Sequence, residues 1–181
     1  MSKHAIKLFD LWPETIDALT REGLLLCSVG ADGMPNVMTI GWMLGGAVWS
    51  KPILTVFVRP SRHSYTRLEG MGEFTVNVLP PERAEAMQYC GAVSGRDADK
   101  FARTGLTASP ARMVKAPIVG EGLVHYECRV VHRNDVIPER VAPDIIAAAY
   151  PHGDFHRVYF GEVLTAYADT DARARLHRLL I

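Results

Sequence analysis

The stretch GLLLCSVGADGMPNVMTIGWML, residues 23–44, decides the architecture. Two apolar runs, GLLLCSV and NVMTIGWML, flank GADGMP, whose Asp-Gly pair favours the tight turn that joins antiparallel strands. The spacing predicts a hairpin. Downstream, AVWS (47–50) and ILTVFV (53–58) read as two more strands separated by a Lys-Pro break. EFTVNVL (73–79), GLVHYECRVVHR (122–133) and FHRVYFGEVLTAYA (155–168) follow, the last two long and partly alternating.

Helical patterns sit around these strands rather than between each pair. TIDALTREG ends at Gly23 with Thr15 as a possible cap, which predicts an N-terminal helix over about residues 13–22. SRHSYTRLEG (61–70), PERAEAMQYCG (81–91) and DADKFART (97–104) read as further helices, and DARARLHRLL predicts a C-terminal one over about 170–181. Strands that cluster without regular strand–helix alternation argue against a parallel sheet. They predict a mainly β, antiparallel barrel or sandwich with peripheral helices. No GxGxxG or GxxxxGK[ST] follows a strand, so neither a Rossmann unit nor a P-loop is supported.

The chain has 181 residues, a length that suits one domain, and no linker or repeat divides it. Lys+Arg and Asp+Glu both number 20, so the formal net charge is zero. That balance argues against a protein that coats nucleic acid or an anionic membrane. The longest weakly polar run, VMTIGWMLGGAVW, has 13 residues with three glycines, short of a membrane span. MSKHAIKLFDLWPETID carries charge throughout and does not read as a signal peptide. Cys27, Cys90 and Cys128 form no CxxC pair and read as reduced thiols of a cytoplasmic protein.

Three stretches carry polar chemistry. VRPSRHSYT, residues 58–66, packs two arginines, two serines and a histidine behind a strand. A helix starting near Ser61 would offer free N–H groups and a favourable dipole to an anion, with Ser61 as cap and Ser64 near the same end. Arg59 and Arg62 add forked donors suited to phosphate. The same stretch also reads as a solvated helix start. NVMTIGWMLGG, residues 36–46, presents Thr39, the bare backbone of Gly41 and the Trp42 ring in sequence, a surface for a flat ligand or a barrel strand filling its own core. SGRDADKF, residues 94–101, places Ser94 in a loop, Asp97 as a helix cap and Lys100 one turn in, where it reaches a phosphate or points to solvent. His152 and His156 stand four apart, but Gly153 and the strand pattern speak against a shared helical face, and no metal site is assigned.

Taken together, NVMTIGW, VRPSRHSYTRLEGMGEFTVNVLP, CGAVSGRDADKFARTGLT and YECRVVHR…FHRVYFGEV resemble the flavin reductase-like family of FMN-binding split barrels, and within it the flavoredoxin branch. The resemblance spans roughly residues 20–168. It implies a Greek-key split β-barrel, with a barrel core over about residues 23–168 of a single 1–181 domain, that forms a homodimer with FMN at or near the subunit interface. It implies that Met38, Thr39, Ile40, Gly41 and Trp42 lie along the flavin ring. Arg59, Ser61, His63 and Ser64 would hold the phosphate and ribityl end, Lys100 would complete the charge, and Asn77 and Ser94 would lie close to the cofactor. Such proteins often carry a Gly-Asp-His triplet whose histidine lies near the nicotinamide. Here the text is GDFHRVYFGEV, so Phe155 separates Asp154 from His156, the looser match. The resemblance implies an oxidoreductase that passes electrons from NAD(P)H through FMN to a flavin, a small molecule or a protein. The alternatives are an electron carrier reduced by a partner protein and a non-catalytic flavin-binding module.

Overall fold

A computed structural model describes residues 3–177. Strand β1 (Lys3–Ala5) precedes helix α1 (Trp12–Arg21), which has a proline in its first turn. Strands β2 (Leu24–Val29) and β3 (Pro35–Ile40) pair antiparallel around the Asp32-Gly33 turn, with Leu24 opposite Ile40 and Val29 opposite Pro35. Strands β4 (Met43–Val48) and β5 (Lys51–Val58) form a second hairpin. Its turn is Trp49-Ser50, both at positive φ of 54° and 56°, rather than the Lys-Pro pair. Pro52 lies inside β5, one residue beyond the β5–β10 register that ends at Ile53, so it has no ladder bond to lose on that side.

Helix α2 (His63–Met71) leads into β6 (Glu73–Val78), and α3 (Ala84–Ala92) and α4 (Lys100–Thr104) follow. Two short strands, β7 (Ala108–Ser109) and β8 (Ile118–Val119), pair with each other. Strand β9 (Val124–Asp135), helix α5 (Pro143–Ala149), strand β10 (Arg157–Asp169) and helix α6 (Ala172–His177) complete the described chain. The expected C-terminal helix is thus present as α6, while its residues 178–181 lie outside the described part. β1, the β7–β8 pair and α5 were not among the elements expected from sequence.

The main sheet runs β3-β2-β6-β9-β10-β5-β4, every neighbour antiparallel, with β1 added to β10. Its two outer strands, β3 and β4, are consecutive in the chain and joined only by Gly41-Trp42. The sheet therefore curls until its edges meet through a two-residue link, with no ladder across the seam. That is a barrel split along one side, as expected.

The LLLC run of β2 is apolar without alternation because both of its faces are covered. Leu24 and Leu26 point into the barrel with Leu54, Val56, Phe74, Val76 and Tyr126, whereas Leu25 and Cys27 pack with Val37, Met87, Cys90 and Phe101 beneath α3 and α4. Thr15 is fully buried and its hydroxyl meets the Tyr126 hydroxyl at 2.9 Å, so it anchors α1 to the barrel instead of capping the helix. The register of β10 against β9 slips at Phe160/Gly161 and again at Val163/Thr165. Gly161 sits where a Cβ would lie 2.5 Å from the Phe74 ring and 2.9 Å from Cys128 Cβ. Gly161→Ala is expected to lower stability by about 1–3 kcal/mol through overpacking, read as a shift in the urea midpoint at constant m.

A polar hub lies inside this otherwise apolar wall. Asn77, fully buried on β6, donates to Leu25 O at 3.2 Å and to Thr75 Oγ1 at 3.0 Å. Its Oδ1 receives Val119 N–H at 3.0 Å and the His125 Nδ1 proton at 2.8 Å. Burial, reinforced by Lys3, pushes the His125 pKa down to about 3. The unfolded chain takes up that proton near the ordinary value of 6.5 and the folded one does not, so stability falls as pH drops below 6.5. The expected slope from this group is about 1.4 kcal/mol per pH unit, present in urea unfolding at pH 5 against pH 7. Equal stability at the two pH values would contradict a neutral buried His125.

Candidate functional site

The seam of the barrel, where β3 gives way to Gly41-Trp42, faces the start of α2 and the end of α3. Two clefts meet there. The first, about 310 Å³, is walled by Asn36, Met38 and Thr39 of β3, by residues 61–64, by Cys90 and Gly91, and by the turn from Ser94 to Lys100. The second, about 190 Å³, runs along Met38 to Trp42 with Phe57, Arg59, Arg62 and His156 opposite. Met38, Thr39 and Arg62 line both.

The first cleft is built to attract an anion. Helix α2 begins at His63 with Arg62 at its N-cap in extended conformation, and no side chain caps it. The first N–H groups of a nine-residue helix are thereby left for a ligand, with the dipole's positive end behind them. Ser64 is buried. Its Oγ accepts from Asn36 Nδ2 at 2.7 Å, which leaves its own proton to donate. Lys100 is also buried, its ammonium giving one of three donors to Cys90 O at 2.8 Å. Burial depresses its pKa, and Arg62 adds to the depression. Arg96 Nη1 donates to Ser61 O at 2.9 Å, which lays the guanidinium over the 61–64 loop.

His63 shows the need for a ligand most directly. Arg67 Nε can only donate, and it donates to His63 Nε2 at 3.1 Å, so the ring proton belongs on Nδ1. That Nδ1 is buried with no partner in the protein. Burial, then Arg67, Arg96 and Lys100, holds the imidazole below its ordinary pKa. A neutral ring with an unmatched N–H donor among cations is a place for a phosphate or hydroxyl oxygen. Gly95 closes the wall: a Cβ there would lie 2.0 Å from Asn36 Oδ1 and 3.0 Å from His63 Cδ2. Gly95→Ala is expected to push Asn36 off Ser64 and weaken anion binding severalfold, measured by titration with the phosphate-bearing ligand.

The structure gathers most of the expected residues and reassigns some. Met38, Thr39, Ile40, Gly41 and Trp42 do line one continuous shelf, and Gly41 has open space where a side chain would stand. Thr39 donates its proton to Met87 O at 2.5 Å, so toward a ligand it acts as an acceptor. His63, Ser64, Ser94 and Lys100 converge on the first cleft, as does Ser61.

Ser61 is not the helix cap, because its hydroxyl and N–H both bind the Asp154 carboxylate, at 2.5 and 3.2 Å. Lys100 stands at the very start of α4, capped by Asp99 instead of Asp97, whose N–H closes a turn onto Ser94 O. Arg59 is corrected more fully. It lines the second cleft, and its guanidinium is held by Ala149 O at 2.7 Å, Asp154 O at 3.2 Å and Gly153 O at 3.4 Å. Asn77 is corrected too: it lines neither cleft, being the interior hub already described.

Arg96, Asn36 and Cys90 are wall residues that sequence reading does not select. Arg96 stands openly in the SGR turn, but its aim depends on how that turn docks on residues 61–64.

His156 does reach the shelf. Its ring lies 4.5 Å from that of Trp42 and it is buried, with Nδ1 2.9 Å from the Tyr150 hydroxyl. Burial, helped by Arg59, lowers its pKa to about 4, so it is neutral at pH 7.

The two clefts suit a flavin mononucleotide. The planar ring matches the open shelf of residues 38–42, and the phosphate matches the uncapped α2 start with Arg62, His63, Ser64, Arg96 and Lys100. Comparisons with known proteins agree. A family model for the flavin reductase like domain matches residues 19–179. The flavoredoxin of Desulfovibrio vulgaris (Miyazaki F) superposes with a TM-score of 0.64 at 26% identity, covering 82% of this chain and 69% of that one. An FMN-binding domain of a flavin reductases-like enzyme from Shewanella baltica OS155 gives 0.66 at 20% identity, covering 94% and 78%. A Streptomyces globisporus NADH:FAD oxidoreductase gives 0.63 at 18%, covering 93% and 89%. The last two establish likeness of fold. The chain spans about half the length of the curated relatives it matches.

Proposed function

Because the chain belongs to the flavin reductase-like family, we propose that it is an FMN-dependent oxidoreductase that takes electrons from NAD(P)H and passes them to a flavin, a small molecule or a partner protein. The observation that carries this reading is the junction of the two clefts at Met38, Thr39 and Arg62. One cleft supplies cations and the unmatched His63 donor for the phosphate. The other sets Trp42 and His156 at the edge of the shelf, where a second planar molecule would meet the ring. When bound, FMN supplies the redox chemistry, and the protein positions it and shapes its surroundings. Arg62, Ser64, Arg96 and Lys100 hold the phosphate. Met38 to Trp42 would seat the ring, and Trp42, Phe57 and His156 would border the face where a reductant docks.

The deciding experiment is an absorbance spectrum of the protein with FMN, before and after anaerobic NADH, then NADPH, then dithionite. Bleaching by a pyridine nucleotide supports the reductase. Bleaching by dithionite alone favours an electron carrier fed by a partner protein, a reading that the flavoredoxin likeness also supports. Absence of bound flavin overturns both.

We also propose that the protein acts as a cytoplasmic homodimer. Leu44, Val48 and Trp49 are exposed on the β4–β5 hairpin, and Trp49 leans on His132 and Phe160 to extend an apolar face. Such a face on an outer strand favours pairing with a second copy. Leu44→Asp with Trp49→Asp is expected to halve the mass measured by light scattering at micromolar concentration. An unchanged mass would place the contact elsewhere.

A further inference from the structure

We propose that Tyr150 is a positioning residue for His156: its hydroxyl donates to Nδ1, keeps the ring proton on Nε2, and makes His156 a donor toward the carbonyl or carboxamide oxygen of an uncharged planar ring in the second cleft. The proposal rests on reading Met38–Trp42 as the flavin shelf, because that shelf supplies the floor on which such a ring would lie.

The geometry begins with how firmly Tyr150 is held. It follows the last residue of α5 and is buried, with Phe155 stacked on it at 4.4 Å between centroids and 18° between planes. The Arg59 guanidinium lies 5.1 Å from its ring centre, itself fixed by the Ala149, Gly153 and Asp154 carbonyls. Asp154, at φ 57°, turns the chain just before Phe155, which stacks on the phenol ring, and His156, which meets its hydroxyl. The additional Phe155 in GDFH therefore has a structural role, since it is the plate against which Tyr150 rests.

The direction of the proton follows from the chemistry of the two groups. His156 Nδ1 and Tyr150 Oη are 2.9 Å apart, and only one of them gives the proton. Burial raises the Tyr150 pKa, opposed by Arg59. The phenol stays protonated at neutral pH, and because a phenol donates better than it accepts, its proton goes to Nδ1, 2.9 Å away. A neutral imidazole with Nδ1 as acceptor carries its proton on Nε2.

The ligand class follows from the cleft. Trp42 at 4.5 Å and Phe57 at 6.3 Å flank the imidazole and favour a flat ring. The Arg59 cation is taken up by carbonyls, Arg62 is shared with the first cleft and its phosphate, and His156 is uncharged, so a neutral oxygen acceptor suits the His156 wall better than a carboxylate.

The test uses ¹⁵N-labelled full-length protein and needs no turnover. Long-range ¹H–¹⁵N correlation should show His156 as the Nε2–H tautomer, and Tyr150→Phe should convert it to a mixture while leaving the stacking on Phe155. A wild-type Nδ1–H tautomer, or a tautomer unchanged in Tyr150→Phe, overturns the proposal. Benzamide then serves as probe with FMN-loaded protein, followed by Trp42 fluorescence. His156→Gln, whose amide N–H replaces Nε2–H, should stay within about threefold of wild-type affinity, and His156→Asn should lose tenfold or more. Equal losses in the two, or no benzamide binding by wild type, overturn the donor role. FMN affinity is titrated separately on the same proteins. A wild type that binds no FMN sinks the shelf reading, whereas a normal FMN affinity with the wrong tautomer sinks only the role of Tyr150.

Discussion

Lys100→Met is expected to weaken FMN binding about 10- to 100-fold while leaving riboflavin affinity within about twofold. The range follows from one charge-assisted hydrogen bond of about 1.5–3 kcal/mol, at roughly 1.4 kcal/mol per tenfold. Methionine keeps most of the apolar stem that packs beside Cys90 and removes only the ammonium that Lys100 holds in the first cleft. Burial already disfavours the charge of Lys100, so its removal should not unfold the protein. Riboflavin lacks the phosphate and provides the internal control. Arg59→Met should lose far less FMN affinity, because its guanidinium serves the carbonyls of residues 149–154, and should instead speed proteolysis of that segment. Equal losses in both variants, measured by FMN fluorescence quenching, would return Arg59 to the phosphate.

Asn77→Leu is expected to cost about 4 kcal/mol. Leucine matches the volume but leaves the Val119 amide and the His125 Nδ1 donor buried without an acceptor, at about 1–3 kcal/mol each, and Thr75 and Leu25 O lose their donor. Urea unfolding of the purified variant measures this directly. A loss below about 1 kcal/mol would mean that water reaches the hub. FMN affinity in the surviving folded protein should be near that of wild type, since Asn77 touches neither cleft.

These two residues also show where sequence reading succeeds and where it stops. The β2–β3 hairpin is legible because its signal is local: two apolar runs and an Asp-Gly turn within one stretch. The helix start within 58–66 is legible for the same reason, since its serines and cations lie within nine positions, although Ser61, expected as its cap, binds Asp154 instead. Which arginine serves the anion is not local. Arg59 finds its carbonyl partners 90 to 95 residues away, and that contact turns it from the first cleft to the second. Asn77 is the same case: a polar side chain on an apolar strand faces either a ligand or an internal partner, and its partners lie 42 and 48 residues on. Helix α5 escapes because seven residues between two prolines carry too short a pattern, and β1 escapes because three residues become a strand only through β10.

The place of β10 in the sheet carries a consequence for how the molecule is made. It pairs with β1, β5 and β9, so it ties together segments drawn from the first, second and third portions of the chain. Yet it is the last strand of the sheet to leave the ribosome. Until then β5 and β9 each lack a neighbour, their edges open to other chains, and the pairing of Lys3 with Asp169 closes a loop that spans most of the chain. The sheet therefore cannot close before β10 has been made, and the open edges of β5 and β9 are the surfaces at risk of wrong pairing until it has.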